Sequence, residues 1–298
     1  MAQRSSHHGV VVGIDGSASA QAAVWWAARE AAMRHVPLTI VHVLASLPVA
    51  ASTLGWPAGR VPEEILEIQE AEGRDFIASA TMAARNSVGT HDIEITGELF
   101  IGAPVAALAE VSRDAQMVVV GSRGRSARHR RLLGSISGGL LHHAHCPVAV
   151  VPDQEESPEI GRLPVLVGID GSTASELATS IAFEEASLRG VDLVALHVWC
   201  DADMSSLPSF ETSAQLQVAG ETLAERLAGW QEKYPDVTVH RIVRYDRPAQ
   251  QVLDESVRAQ LVVVGSRGRG GFAGMLLGSV STVVTQESWV PVIVARPR

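Results

Sequence analysis

The sequence predicts an α/β protein made of two tandem doubly wound domains, each a five-stranded parallel sheet flanked by helices. Three observations lead there. The chain repeats itself: "VVVGIDGS" at 10–17 returns as "VLVGIDGS" at 165–172, and "MVVVGSRGR" at 117–125 returns as "LVVVGSRGR" at 261–269. Short continuous runs rich in Val and Ile alternate with longer helical segments, the pattern of parallel strands covered on both faces. Finally, 298 residues suffice for two ordinary domains, and a repeat of roughly 145 residues makes two similar domains rather than a solenoid of short units.

In the first copy the apolar runs fall at 10–14, 38–43, 93–99, 117–121 and 147–151, which gives five strands. Between them, "SASAQAAVWWAAREAAMRH" and "EEILEIQEAEGRDFIASATMAARN" are alanine-rich or 3.6-periodic and read as helices. Trp25 and Trp26, in the first of these, read as packing or interface groups. The two landmarks recur at offsets of 155 and 144, so the first copy carries eleven more residues, assigned to "SLPVAASTLGWPAGR" at 46–60. The last strands, in "CPVAVVP" at 146–152 and "VPVIVAR" at 290–296, have no helix after them. Each leaves an edge that invites pairing, here between 147–151 and 291–295 of one chain. The acidic stretch "DQEESPEIGRL" reads as a linker. The expected domains are 1–152 and 164–298, joined by 153–163.

Composition narrows the function classes. A formal charge of −9 argues against a general nucleic-acid binder, which normally presents a strongly basic domain. No apolar run approaches the roughly 20 residues of a membrane span, so membrane insertion is not expected. The N-terminal stretch lacks the apolar region and cleavage site of a signal peptide. Two cysteines, Cys146 and Cys200, do not make a disulfide framework. The expected location is cytoplasmic.

In open parallel sheets, ligands sit outside the carboxyl ends of the strands, where strand order reverses. "VGIDGS" and "VVVGSRGR" both lie at such ends. Gly121, Gly124, nine residues, then Gly134 and Ser135 opens a helix in the first copy; Gly265, Gly268, nine residues, then Gly278 and Ser279 does so in the second. Glycines let the backbone approach a ligand, and the N–H groups that start a helix carry about half a positive charge. A simple strand–helix connection needs only about two to six residues, and this one spends more than a dozen. The loop arginines, Arg123 and Arg125 in one copy and Arg267 and Arg269 in the other, suit phosphate. Two or three charge-assisted hydrogen bonds of about 1.5–3 kcal/mol each, less desolvation, support binding near the micromolar level.

These residues resemble the universal stress protein family in its ATP-binding branch, whose signature is G-x2-G-x9-G-[S/T], in the tandem two-domain form of actinobacteria. The resemblance covers nearly the whole chain and implies an adenine nucleotide α-hydrolase-like, Rossmann-like sheet in each half. It implies one ATP per domain, with Mg2+ as a companion ion. The family's aspartate beside the adenosine falls on Asp15 and Asp170, and its backbone contact to adenine falls on Val43 and Val198. Gly13 and Gly168 lie on the same strand face as those aspartates and leave room for a ligand. The phosphate loop falls on Gly121, Ser122, Arg123, Gly124, Arg125, Gly134 and Ser135, and on Gly265, Ser266, Arg267, Gly268, Arg269, Gly278, Ser279 and Val280. The resemblance also implies pairing of the last strands about a pseudo-twofold axis, a homodimer, and a regulatory protein partner.

The two copies are not identical. The first loop continues "RSARHRRLL" where the second has "RGGFAGMLL", so the first is bulkier and more basic. Gly102 corresponds to Asp246, whose carboxylate would weaken or re-tune a second site beside it.

Other constellations have plainer readings. His142, His143 and His145 have no counterpart histidines in the second copy, and a helix-end cluster is favoured over a metal site. His42 and His197 recur at the end of the second strand and read as hydrogen-bonded structural groups. Cys146 aligns with Val290 and reads as a small buried group.

Three function classes follow. The first is a nucleotide-dependent regulator of stress or growth responses, with no catalytic residues and at most slow ATP hydrolysis. No Walker A lysine follows the glycines, and no residue shared by both copies is an obvious general base. The second is an enzyme on a related sheet, but the chain lacks both S-G-G-x-D-S after strand one and a dinucleotide G-x-G-x-x-G there. The third is a scaffold that keeps the fold without the ligand. Cyclic AMP in place of ATP is an alternative ligand. The expected test of the scaffold reading against nucleotide binding is that Gly121→Asp and Gly265→Asp abolish nucleotide binding while leaving the fold intact.

Overall fold

The structure, a computed structural model, describes residues 8–45, 63–89, 92–124, 133–153, 160–199, 212–269 and 277–297. Arg125, Cys200, the insertion at 46–60 and most of the linker lie outside them. Contacts divide the chain into two compact units. One is Met1–Arg128 with Gly134–Cys146, and the other is Pro147–Arg298 with His129–Leu133.

The first unit runs β1 (Val10–Ile14), α1 (Ala18–Arg34), β2 (Leu38–Ala45), α2 (Glu63–Val88), β3 (Ile95–Gly102), α3 (Pro104–Val111), β4 (Met117–Gly121) and α4 (Ser135–His143). Its strands pair in the order β3-β2-β1-β4, all parallel, with Val12 opposite both Ile40 and Val119. Strands one to three step outward in one direction and the fourth returns to the other side of β1. The reversal therefore lies between β1 and β4. These are the strands whose apolar runs are continuous. Val10, Val11, Val12, Val118 and Val119 are fully buried, as covering on both faces requires.

Local chemistry sets the helices. Ser17, in an extended conformation, caps α1 by accepting the Ala20 N–H at 3.2 Å. The alanine-rich run then carries α1 to His35, which ends it in the left-handed conformation. Ser172 and Gly190 play the same two parts in the second repeat. Trp26 is buried, whereas its neighbour Trp25 is 42% exposed.

The second unit runs β5 (Val148–Val151), a 3-10 turn at Ile160–Arg162, β6 (Val165–Gly168), α5 (Thr173–Arg189), β7 (Leu193–Trp199), α6 (Thr212–Lys233), β8 (Val239–Tyr245), α7 (Pro248–Ser256), β9 (Leu261–Gly265), α8 (Ser279–Glu287) and β10 (Val292–Ala295). β10-β9-β6-β7-β8 is parallel throughout. β5 adds to its edge antiparallel, with Ile293 opposite Ala149. The strand that ends the first repeat in sequence thus belongs by contact to the second unit. Both four-residue strands are apolar and buried, and the ladder between them covers the β10 edge. Among the described residues no helix is long and apolar enough to cross a membrane.

Each repeat buries an ion pair on its first helix. Glu30 and Glu185 are fully buried and pair with Arg34 and Arg189, whose side chains are 10% and 13% exposed. Removing the cation leaves a carboxylate deprived of its ion-pair partner in a dry environment, which costs more than removing both partners. Arg189→Ala should lower unfolding stability by about 3 kcal/mol or more, and the double change Arg189→Ala with Glu185→Ala by less, as read by urea denaturation.

Candidate functional site

The carboxyl end of β1 turns sharply into α1. Asp15 accepts the Ser17 N–H at 3.0 Å, and Gly16 between them has φ +79°. A Cβ on Gly16 would lie 2.8 Å from the Phe76 ring, so both conformation and space call for glycine. The carbonyl of Ile14, just before the turn, bonds to His42 Nδ1 at 2.8 Å; His197 and Ile169 repeat the contact at 2.6 Å. These histidines are structural ties that fix the strand end from which the aspartate projects.

The chain leaving β4 comes down against the start of α1. A Cβ on Gly121 would fall 2.6 Å from the Ser19 backbone, and one on Gly265 would fall 2.8 Å from the Ala174 backbone. The next residues are held by hydroxyls from the same helix. Ser17 Oγ donates to the Arg123 carbonyl at 3.5 Å, and Ser19 Oγ also donates to it. Ser172 Oγ donates to the Arg267 carbonyl at 3.1 Å. At its far end the loop closes on itself through Gly134 N–H to Ser122 O at 2.9 Å and Gly278 N–H to Ser266 O at 2.8 Å. Ser137 Oγ adds a bond to Gly121 O at 2.7 Å.

The loop delivers the start of the next helix to the strand ends. Gly134 and Gly278 are the N-caps of α4 and α8, and neither helix has a side-chain cap. Their first N–H groups are therefore available to an anion, with the helix dipole behind them. In the first unit these groups border a cavity of about 250 Å³. Gly13 and Asp15 from β1, Val41 and Val43 from β2, and Pro104 and Leu108 from α3 form its other walls, and Arg123, Gly124 and Ser135 complete the loop side. The volume is just below the roughly 300–1,000 Å³ usual for small-molecule sites. The Leu108 side chain already comes within 3.0 Å of where a Gly13 Cβ would be, so a larger residue there would fill the cavity.

Of the residues singled out from the first repeat, Gly13, Asp15, Val43, Gly121, Arg123, Gly124, Gly134 and Ser135 meet around this cavity. Ser122 supplies a carbonyl to loop closure. In the second repeat Gly168 ends β6, Val198 lies in β7, and Gly265 ends β9. Asp170 accepts the Arg269 N–H, and the Arg267 carbonyl accepts from Ser172 Oγ. Ser266 is buried, and Gly278, Ser279 and Val280 open α8. The walls from α3 and the serines of α1 carried no repeated glycine signal, although Ser17 before an alanine run is a readable helix cap.

The repeats differ at two points near the site. Where Phe76 covers Gly16, Arg226 covers Gly171, and a Cβ there would fall 1.4 Å from its Nη1. Where Gly102 leads into Ala103, Asp246 and Arg247 are both left-handed, at φ 59° and 50°. The Asp246 carboxylate accepts the Arg247 N–H at 2.8 Å and is largely exposed. Cys146 is fully buried, and among the described residues no group of three or more His, Cys, Asp or Glu side chains could hold a metal ion.

The glycine contacts correct one expectation. A side chain at Gly121 or Gly265 meets helix backbone, which cannot swing aside, so Gly121→Asp and Gly265→Asp disturb the fold as well as any ligand. Even Gly121→Ala should cost about 1–3 kcal/mol of stability in the ligand-free protein, measured by chemical denaturation.

Comparison with known proteins agrees with this architecture. Residues 7–152 and 162–296 each match the family model described as the universal stress protein family. A universal stress protein of Mycobacterium tuberculosis is 51% identical over 298 residues, covering 99% of both chains. One from Mycolicibacterium smegmatis is 51% identical over 301 residues, covering all of both. The crystal structure of a universal stress protein from Archaeoglobus fulgidus, 20% identical, superposes with a TM-score of 0.71 over 99% of this chain and 100% of its own, which shows a shared fold. Two full family matches in tandem and relatives at half identity across the whole length establish that this chain belongs to the universal stress protein family.

Proposed function

We propose that each repeat binds an adenine nucleotide, ATP, at the switch point of its sheet, and that the chain acts as a nucleotide-dependent regulator with little turnover. The observation that carries the reading is the cradle of the first unit. An uncapped helix start and a glycine loop face a cavity whose other walls are apolar, with one carboxylate at its rim. Backbone N–H groups and the loop arginine suit the phosphates; Val41, Val43 and Leu108 suit a flat apolar base; Asp15 suits a sugar hydroxyl. The second repeat offers the same glycine spacing, the same serine tie to a loop carbonyl and the same uncapped helix.

Mg2+, where it accompanies the nucleotide, would be held mainly by the phosphates, since Asp15 and Asp170 are the only carboxylates the sequence repeats at the loop. No residue at a matching position in both repeats is an obvious general base. Hydrolysis should therefore run below about one turnover per second, beneath the common enzyme range. A regulatory role in stress or growth, a homodimer, a protein partner that reads the bound state, and a cytoplasmic setting complete the proposal.

The test is to purify the protein without added nucleotide, denature it, and identify and count what is released. ATP at one to two molecules per chain is expected; release of cyclic AMP would change the ligand. The matching variants are Ser135→Asp and Ser279→Asp. A carboxylate in the first turn of a helix favours the helix but occupies the place of a phosphate. Each should leave the thermal midpoint unchanged or higher and weaken ATP binding at its own site by tenfold or more. An empty protein that also fails a direct ATP titration would leave the scaffold reading in its place.

A further inference from the structure

The carboxylate of Asp170 bridges two segments far apart in sequence. Oδ1 accepts the Ser172 N–H at 2.9 Å, and Oδ2 accepts the Arg269 N–H at 3.2 Å across 99 residues. Gly268 makes room for this contact, because a Cβ there would fall 2.5 Å from Oδ2. The first repeat shares two of these features: Asp15 Oδ1 accepts the Ser17 N–H, and a Cβ on Gly124 would fall 2.8 Å from Oδ2. The second glycine of G-x2-G is thus demanded by an aspartate of the same repeat.

We propose that Asp15 and Asp170 are positioning residues that latch the glycine loop in its cradle shape. This rests on the nucleotide reading of the site and adds a role distinct from contact with the sugar. A carboxylate that accepts backbone N–H bonds makes charge-assisted contacts, the stronger class. The N-cap serine ties the neighbouring carbonyl, so loop residues 267–269 are held at both a carbonyl and an N–H. Holding the loop before binding removes part of the ordering cost that a phosphate chain would otherwise meet, which raises affinity. The negative charge of Asp170 next to a phosphate loop is tolerable because both its oxygens accept from backbone donors.

The test compares three full-length chains without ligand by amide hydrogen exchange: the native sequence, Asp170→Asn and Gly268→Ala. Asp170→Asn keeps an oxygen for the Ser172 N–H but turns an NH2 toward Arg269. Gly268→Ala keeps the carboxylate and pushes it away. In both, the Arg269 amide should exchange at least about tenfold faster, as loss of one charge-assisted bond implies. Strand amides 261–265 and first-repeat amides 121–124 should not change. Unchanged Arg269 exchange in both variants overturns the latch.

The second readout is titration with inorganic tripolyphosphate, which has neither sugar nor base, in a Ser135→Asp background that leaves the second site to report. Asp170→Asn should weaken tripolyphosphate and ATP alike. Loss of ATP affinity with tripolyphosphate affinity retained would assign the aspartate to the sugar and overturn the latch. A native chain that binds neither removes the nucleotide reading, and the exchange rates then uphold or overturn the latch on their own.

Discussion

The site depends on one close approach, that of the first helix of each repeat to the chain leaving the fourth strand. It is possible only because the last residue of that strand has no side chain. With Gly121 and Gly265 in place, the helix N-terminus sits against the loop, its serine hydroxyls reach the loop carbonyls, and in the second repeat the preceding aspartate reaches the Arg269 N–H. Backbone against backbone is the least forgiving contact in a protein, since neither side can change rotamer. The loop is therefore shaped by the fold itself.

This bears on what a glycine signature means. A loop of glycines beside a helix start is commonly attributed to the room a phosphate needs. Here Gly121 is explained by the helix, Gly124 by Asp15, and Gly16 by its backbone conformation and Phe76. Gly134 is merely tight, with neighbours at 3.3–3.4 Å. The cradle open to an anion is the consequence of these internal demands, and the uncapped helix start gives it polarity. An overall charge of −9 makes such a local cationic feature the more selective for small anions over nucleic acid.

The repeats share this frame but not its lining. An aromatic ring in one and a guanidinium in the other cover the same turn, and the entry to the third helix of each repeat follows different backbone paths at Gly102 and Asp246. Two left-handed non-glycine residues in succession are costly, by about 1–3 kcal/mol each, and persist only where the surroundings impose them. The two repeats accordingly differ in the lining beside the loop while keeping the same contact of helix with loop.

Much of this was legible in the chain itself. Periodicity and repetition determined the strands, the helices between them, and the positions of the two glycine loops at strand ends, because those features are local or recur at fixed spacing. Ser17 as a cap was equally local. What only the tertiary structure decided was which atoms those residues meet. The Asp170–Arg269 contact spans 99 residues, the walls at Pro104 and Leu108 come from a helix without a shared motif, and β5 joins the unit of the second repeat rather than that of its own. Spacing along a chain predicts backbone form, whereas the atom that fills the space beside a glycine is set by the packing of segments that sequence order keeps apart.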